Sequence, residues 1–208
     1  GISPRKPAIP GIESPKVLSY TDVLKNKKEV GKRVAVIGAG GIGFDTAEYL
    51  THEGQSSSLD VNEFLKEWGI DPANEVRAGV DGIMPQPHAS PRQLYLLQRK
   101  ETKVGDGLGK TTGWIHRTTL KMKKVKMISG VQYQKIDEQG LHITVNEKPQ
   151  LLEVDNIIIC AGQVSKNELY EPLKAKGKIV HLIGGAFMAG ELDAKRAIEQ
   201  GYKLGISI

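Results

Sequence analysis

"VAVIGAGGIGFDTAEYL", residues 34–50, decides the fold. Four apolar residues in succession, Val34 to Ile37, are what a parallel strand buried on both faces requires. Gly38, Gly40 and Gly43 then fit G-x-G-x-x-G, and the residues from Gly41 to about Thr51 read as a helix. In that pattern the first glycine lets the chain turn sharply and the second lets backbone approach a pyrophosphate. The third lets helix and strand pack closely. The helix start offers free N–H groups and a positive dipole end to the same anion. The turn made of Gly38, Ala39, Gly40, Gly41, Ile42 and Gly43 is therefore the candidate phosphate cradle of a dinucleotide site.

An acidic residue about 20 positions further on, at the end of the second strand, holds the ribose hydroxyls in the usual arrangement. Here that place is taken by "SSSLDVNEFLKEW", a Ser-rich link and a helix near 60–68 opened by Asp60 and Glu63 as a capping box. The second strand is displaced to "QLYLLQRK", 93–100, which makes residues 54–91 an excursion that closes with the loop "MPQPHASP". Arg99 and Lys100 end the displaced strand, with Lys103 close behind. An acid there would accept bonds from a free 2′-hydroxyl, whereas two cations neutralise a 2′-phosphate. The expected nucleotide is NADP(H). A solvent-facing charge pair ending a strand is the bland alternative.

Working outward, the proline-rich residues 1–16 read as a connection and "SYTDVLKNKKEVG" as a short helix ended by Gly31. "VGDGLGKTTGW" misses the G-x-x-x-x-G-K-[ST] phosphate loop, because Val104 stands where its first glycine belongs. It is a loop with Thr111 or Thr112 capping a helix that runs to about Lys124. Trp114 on that helix is either a packing residue or a cofactor or substrate contact. "VKMISG" is a third strand, "VQYQKIDEQGLHITVN" an antiparallel hairpin turning at Glu138–Gly140, and "VDNIIICAG" another buried strand. "KIVHLIGG" is the last expected strand, followed by a helix from about Ala189 to Leu204. Strands alternating with helices, plus one hairpin, specify an α/β, doubly wound, Rossmann-like domain with a small β-meander.

Composition narrows the class. The chain has 208 residues, 39% hydrophobic and 25% charged, with a net charge of +5. Its apolar runs are strand length, far short of the ~20 residues that span a bilayer. "LKMKKVKM" has no interleaved aromatics and no helix-turn-helix context, so phosphorylated metabolites rather than nucleic acid are the expected partners of the basic balance. Cys160 is the only cysteine, which excludes an internal disulfide and a cluster needing about four thiolates. It sits in an apolar strand as an inert thiol. No histidine stands at metal spacing, and no signal peptide opens the chain, so a cytoplasmic location is the default expectation.

Together "GGIGFDTA", "EWGID", "SPRQ", "LQRK", "GLGKTTGWIHRTTL", "GVQYQKID", "VDNIIICAG" and "ELDAKRAIEQG" resemble the C-terminal part of the bacterial flavin- and NADPH-dependent 2,4-dienoyl-CoA reductases. The "GKTTGWIHR" stretch is far more specific than the glycine fingerprint. The resemblance implies an NADPH domain inserted in an FAD domain. Residues 1–30 would be the connection from the FAD domain, 31–155 the NADP(H)-binding domain, and 156–208 the returning part of the FAD domain. Ala161 and Gly162, ending the strand that crosses back, and Gly184 and Gly185 would then face FAD. Related flavoproteins carry Gly-Asp where this chain has Gly184–Gly185, so the bond to the ribityl chain must come from backbone N–H or be lost. The family's N-terminal barrel, holding FMN, a [4Fe–4S] cluster and the proton donor, is not in these residues. The implied whole enzyme passes hydride from NADPH to FAD, then electrons through the cluster to FMN. It reduces 2,4-dienoyl-CoA to enoyl-CoA in fatty-acid β-oxidation, and this chain would be an inactive fragment of it. The alternatives are the tail of an enoate reductase or amine dehydrogenase, or a non-catalytic NADP(H)-binding module.

Overall fold

The computed structural model describes residues 1–79, 82–190 and 193–208. In chain order the elements are β1 Ile2–Pro4, β2 Val17–Ser19, α1 Tyr20–Leu24, β3 Arg33–Ile37 and α2 Gly41–Leu50. Next come α3 Val61–Trp68, β4 Gln93–Leu97, α4 Gly113–Met122 and β5 Lys126–Ile128. A meander follows, with β6 Gln132–Asp137, β7 Gly140–Val145 and β8 Lys148–Leu152. The chain closes with β9 Asn156–Ile159, β10 Gln163–Ser165, α5 Tyr170–Ala175, α6 Gly184–Phe187 and α7 Ala194–Gly205. Two compact units result: Ala8–Cys160, and Gly1–Pro7 together with Ala161–Ile208. The boundaries expected at 30/31 and 155/156 both lie inside the first unit. Its sheet is the reason, since β2 and β9 pair with each other and β9 pairs with β3.

The first unit is built on a parallel five-stranded sheet in the order β2-β9-β3-β4-β5. Val34, Val36, Leu94, Leu96, Ile158 and Cys160 point to one face, where Val23, Phe44, Ala47, Leu50 and Leu120 of the three helices cover them. Ala35, Ile37, Leu97, Ile157 and Ile159 are as deeply buried on the other face. Burial on both sides is why these strands read as unbroken apolar runs. Fully burying a side chain such as Phe44 stabilises the unit by about 1.5–3 kcal/mol. The hairpin gains a third strand, so β6-β7-β8 is a complete antiparallel meander with its tight turn between Asp137 and Gly140.

The excursion is locked onto this unit, Val80 and Asp81 lying outside the described residues. Asp60 caps α3 by accepting from the N–H groups of Asn62 and Glu63. The reciprocal half of the expected capping box is missing, because Glu63 lies 3.5 Å from His88 and 3.8 Å from Lys66 instead. Glu67 and Lys123 form a buried ion pair at 3.0 Å. The Lys123 ammonium also donates to the His88 carbonyl at 2.9 Å, tying the returning loop to the end of α4. Burial pushes the Glu67 carboxyl up, but the Ser57 hydroxyl and the Lys123 ammonium pull harder and leave it below its usual range. Gly69 has φ +65°, and a Cβ there would meet the Pro85 nitrogen at 2.5 Å, so only glycine lets the loop return so closely. Arg92 closes the excursion by donating to the carbonyls of Leu50 and Val30.

In the second unit β1 pairs antiparallel with β10, so residues 2–4 are a strand rather than a bare connection. Residues 178–183 form no strand, contrary to expectation. Among the described residues β1 and β10 alone pair in this unit, and Ile179 is 89% exposed without a ladder partner. The last helix begins at Ala194, capped by the Asp193 carboxylate, rather than near Ala189. Part of the quoted "ELDAKRAIEQG" stretch, Glu191 and Leu192, lies outside the described residues. No helix of the described residues is long and apolar enough to cross a membrane.

Candidate functional site

The glycine turn sits where the strand order reverses. The Gly38 N–H donates to the Leu97 carbonyl at 3.0 Å, and the Cys160 N–H donates to the Ile37 carbonyl at 2.8 Å. The turn therefore lies at the carboxyl ends of three strands, β4 on one side and β9 on the other. Crevices at such positions are where open α/β sheets bind their ligands.

The three glycines have different reasons to be glycine. Gly38 has φ +110°, a left-handed conformation that side chains rarely adopt. A Cβ on Gly43 would stand 1.8 Å from the Gly38 carbonyl oxygen, so the fold itself demands its absence. A Cβ on Gly40 or Gly41 would meet nothing within 4 Å. Space is open there. Gly40 is the N-cap of α2 and no side chain caps the helix, so its first N–H groups face that space. An open cradle at the uncapped start of a ten-residue helix suits a dinucleotide pyrophosphate.

Arg99, Lys100 and Lys103 are all exposed, beyond the end of β4 and beside the turn. Parallel register, with Ile37 opposite Leu97, sets them there. Arg99 lies close enough to Tyr133 of β6 to be felt electrostatically: burial pushes the Tyr133 phenol up and the Arg99 charge partly offsets it. The loop from 98 to 105 is fixed by the Gln98 carboxamide, which bonds to Lys100, Thr102 and Gly105. Gly105 packs on α2, where a Cβ would meet the Phe44 ring at 2.7 Å, and its carbonyl accepts from Arg117 at 2.9 Å. Sequence reasoning missed Gln98, although a polar residue closing an apolar strand just before two cations was the available signal.

Trp114 is 55% exposed, donates to the Thr111 carbonyl, and packs edge-on against Trp68 of the excursion at 6.5 Å between centroids. The geometry thus supplies the packing half of the expectation. Thr112 occupies the N-cap of α4 without a side-chain cap bond, because its backbone is already helical at ψ −20°. On the same helix His116 lies 2.7 Å from Glu48 of α2. Burial raises the Glu48 carboxyl, and the His116 bond opposes the rise without cancelling it. Cys160 is buried and its thiol is pushed up to about 11 by burial, the inert state expected of it.

In the second unit the carbonyls of Ala161 and Gly162 accept from the Nε and backbone N–H of Arg5, at 2.7 Å and 3.0 Å. Gly184 has φ +56°, and its N–H donates to Gln200 at 2.6 Å. That N–H is therefore already engaged within the protein. Gly185 follows it in the short helix α6.

A family model for pyridine nucleotide-disulphide oxidoreductases matches residues 1–181. The chain belongs to that family. A domain of that family implies binding of FAD and NAD(P). The chain is 27% identical to a metal reductase of Desulforamulus reducens over 99% of its length and 29% of the relative's. It is 25% identical to a cinnamate reductase of Clostridium sporogenes over 89% of its length and 22% of the relative's. Its fold superposes on a 2-naphthoyl-CoA reductase at a TM-score of 0.71 with 22% identity, covering all of this chain and 26% of that one. The chain thus spans between a fifth and a third of the length of these three relatives. It holds one cysteine, so no disulfide closes within it.

Proposed function

We propose that the chain is the NADPH-binding and partial FAD-binding portion of a 2,4-dienoyl-CoA reductase. The observation that carries the nucleotide half is the cationic loop of Arg99, Lys100 and Lys103 beside an open glycine turn. On this reading the α2 N-terminus and Gly38–Gly43 hold the pyrophosphate, and Arg99 and Lys100 hold the 2′-phosphate with Lys103 behind them. Ala161, Gly162, Gly184 and Gly185 lie toward FAD. Bound NADPH supplies a hydride and FAD accepts it; the chain's own residues orient and neutralise, and none of them donates a proton to substrate.

The substrate half rests on the sequence resemblance through "GLGKTTGWIHRTTL". The partners proposed are the rest of the FAD domain and a barrel holding FMN and a [4Fe–4S] cluster. In support, Ile198 and Tyr202 of α7 and its C-cap Ile206, one stripe at helical spacing, are exposed by about 70%. A stripe of that kind wants a covering domain.

The cinnamate reductase relative favours a second reading, an enoate reductase. The test is anaerobic NADPH oxidation by the whole gene product, offered a 2,4-dienoyl-CoA or cinnamate. Turnover of the dienoyl-CoA alone supports the proposal. Turnover of cinnamate alone replaces it with the second reading. The isolated 208-residue chain is expected to be inactive with either substrate.

A further inference from the structure

We infer that Gln98 is a positioning residue for nucleotide choice: its carboxamide holds residues 99–105 in the shape that presents Arg99, Lys100 and Lys103 to a phosphate monoester. The inference rests on the NADP(H) reading of the site and goes one step further. Three cations within five residues repel one another, and an unsupported loop would relieve that repulsion by spreading into solvent. Gln98 prevents this with both its amide nitrogen and its amide oxygen.

Its Nε2 donates to the Lys100 carbonyl at 3.1 Å, to the Thr102 carbonyl at 2.8 Å and to the Thr102 hydroxyl at 3.3 Å. Its Oε1 accepts from the Gly105 N–H at 3.4 Å. A primary amide has two N–H hydrogens, so the two Thr102 oxygens share one of them and both hydrogens are engaged. The residue is itself immobilised by the sheet edge. Its N–H donates to the Ile128 carbonyl at 2.8 Å, and its carbonyl accepts from the Val131 N–H at 3.0 Å. The Lys100 carbonyl also accepts from the Gly130 N–H at 3.0 Å. The loop is thus tied from inside by Gln98 and from outside by the turn after β5.

The pyrophosphate cradle draws on none of this. It is built by Gly38–Gly43 and the start of α2, and no hydrogen bond of the Gln98 side chain reaches it. A nucleotide without a 2′-phosphate therefore binds without using the Gln98-ordered loop. A nucleotide with one must order the loop itself when Gln98 cannot. Ordering two or three side chains on binding costs enough to weaken affinity about tenfold.

The test is calorimetric titration of NADP⁺ and NAD⁺ into the whole gene product and its Gln98→Met and Gln98→Asn variants. Methionine keeps the volume and removes the bonds; asparagine keeps an amide that is one methylene too short. Both variants are expected to lose about tenfold in NADP⁺ affinity and to hold NAD⁺ affinity within about twofold. Equal loss for both nucleotides, or an unmoved ratio, overturns the inference. So does failure of both variants to fold, which would make Gln98 a determinant of the fold. A parent chain that binds both nucleotides alike overturns the NADP(H) reading itself. A parent that prefers NADP⁺ beside unmoved variants overturns only the role of Gln98.

Discussion

Replacing Gly43 by alanine sets backbone against backbone. The new Cβ would lie 1.8 Å from the Gly38 oxygen and 2.9 Å from its carbonyl carbon, with Leu96 Cδ1 3.6 Å away on the far side. Nothing flexible stands at the obstructed side, so α2 must retreat by about 1.5 Å to reach ordinary contact. That movement lifts Phe44 and Ala47, both fully buried, off the sheet. Overpacking costs about 1–3 kcal/mol when side chains can yield, and the backbone obstacle puts this case at about 3 kcal/mol. For a chain of this size the melting temperature should fall by about 6–12 °C. Gly40→Ala is the control. Its backbone, at φ −83° and ψ −174°, suits any residue, and its Cβ meets nothing within 4 Å. It should change stability by no more than about 1 kcal/mol while narrowing the pyrophosphate cradle. Trp68 and Trp114, the chain's two tryptophans, lie in the same unit and report its melting by fluorescence. A Gly43→Ala variant melting within about 2 °C of the parent would refute the reasoning.

The Glu67–Lys123 pair offers a second test. Lys123→Met strands a buried carboxylate and should cost about 3–5 kcal/mol by urea titration at neutral pH. Because the Glu67 carboxyl lies below its ordinary 4.5 in the folded chain, the pair's contribution is complete above that pH. It is lost as pH falls through the lower folded value; an unchanged acid limb in Lys123→Met would contradict this. Cys160, with its thiol near 11, should resist alkylation at about pH 8 until the unit unfolds, and a rate like that of a free thiol would contradict its burial beside Thr46.

The first unit was largely legible because its information is local. Unbroken apolar runs mark strands buried on two faces, and the glycine turn carries its own geometry, so Arg33–Ile37, Gln93–Leu97 and the cations after Leu97 fell where expected. β2 was missed because three half-buried residues at a sheet edge carry no period, and their pairing with β9 spans 140 residues of sequence. The strand expected near 178–185 failed for the converse reason. Its apolar run is strand-like, but a strand exists only with a hydrogen-bonded neighbour, and none pairs with it among the described residues. Arg92 was invisible because its role is bonds to carbonyls, which any donor side chain of the right length could make, and Gln98 left only the signal of a polar residue closing an apolar strand before two cations. The excursion's ion pair joins Glu67 to Lys123 across 56 positions and follows from packing alone.

The most direct measurement is the affinity of an Arg99→Ala/Lys100→Ala chain for NADP⁺ and NAD⁺, read side by side by calorimetry against the parent. Each charge-assisted bond to the 2′-phosphate contributes about 1.5–3 kcal/mol, so NADP⁺ affinity should fall by about 100-fold or more. NAD⁺, which lacks that phosphate, should bind within about twofold of the parent. Equal loss for both nucleotides, or NADP⁺ affinity left intact, would contradict the assignment of these two cations to the 2′-phosphate.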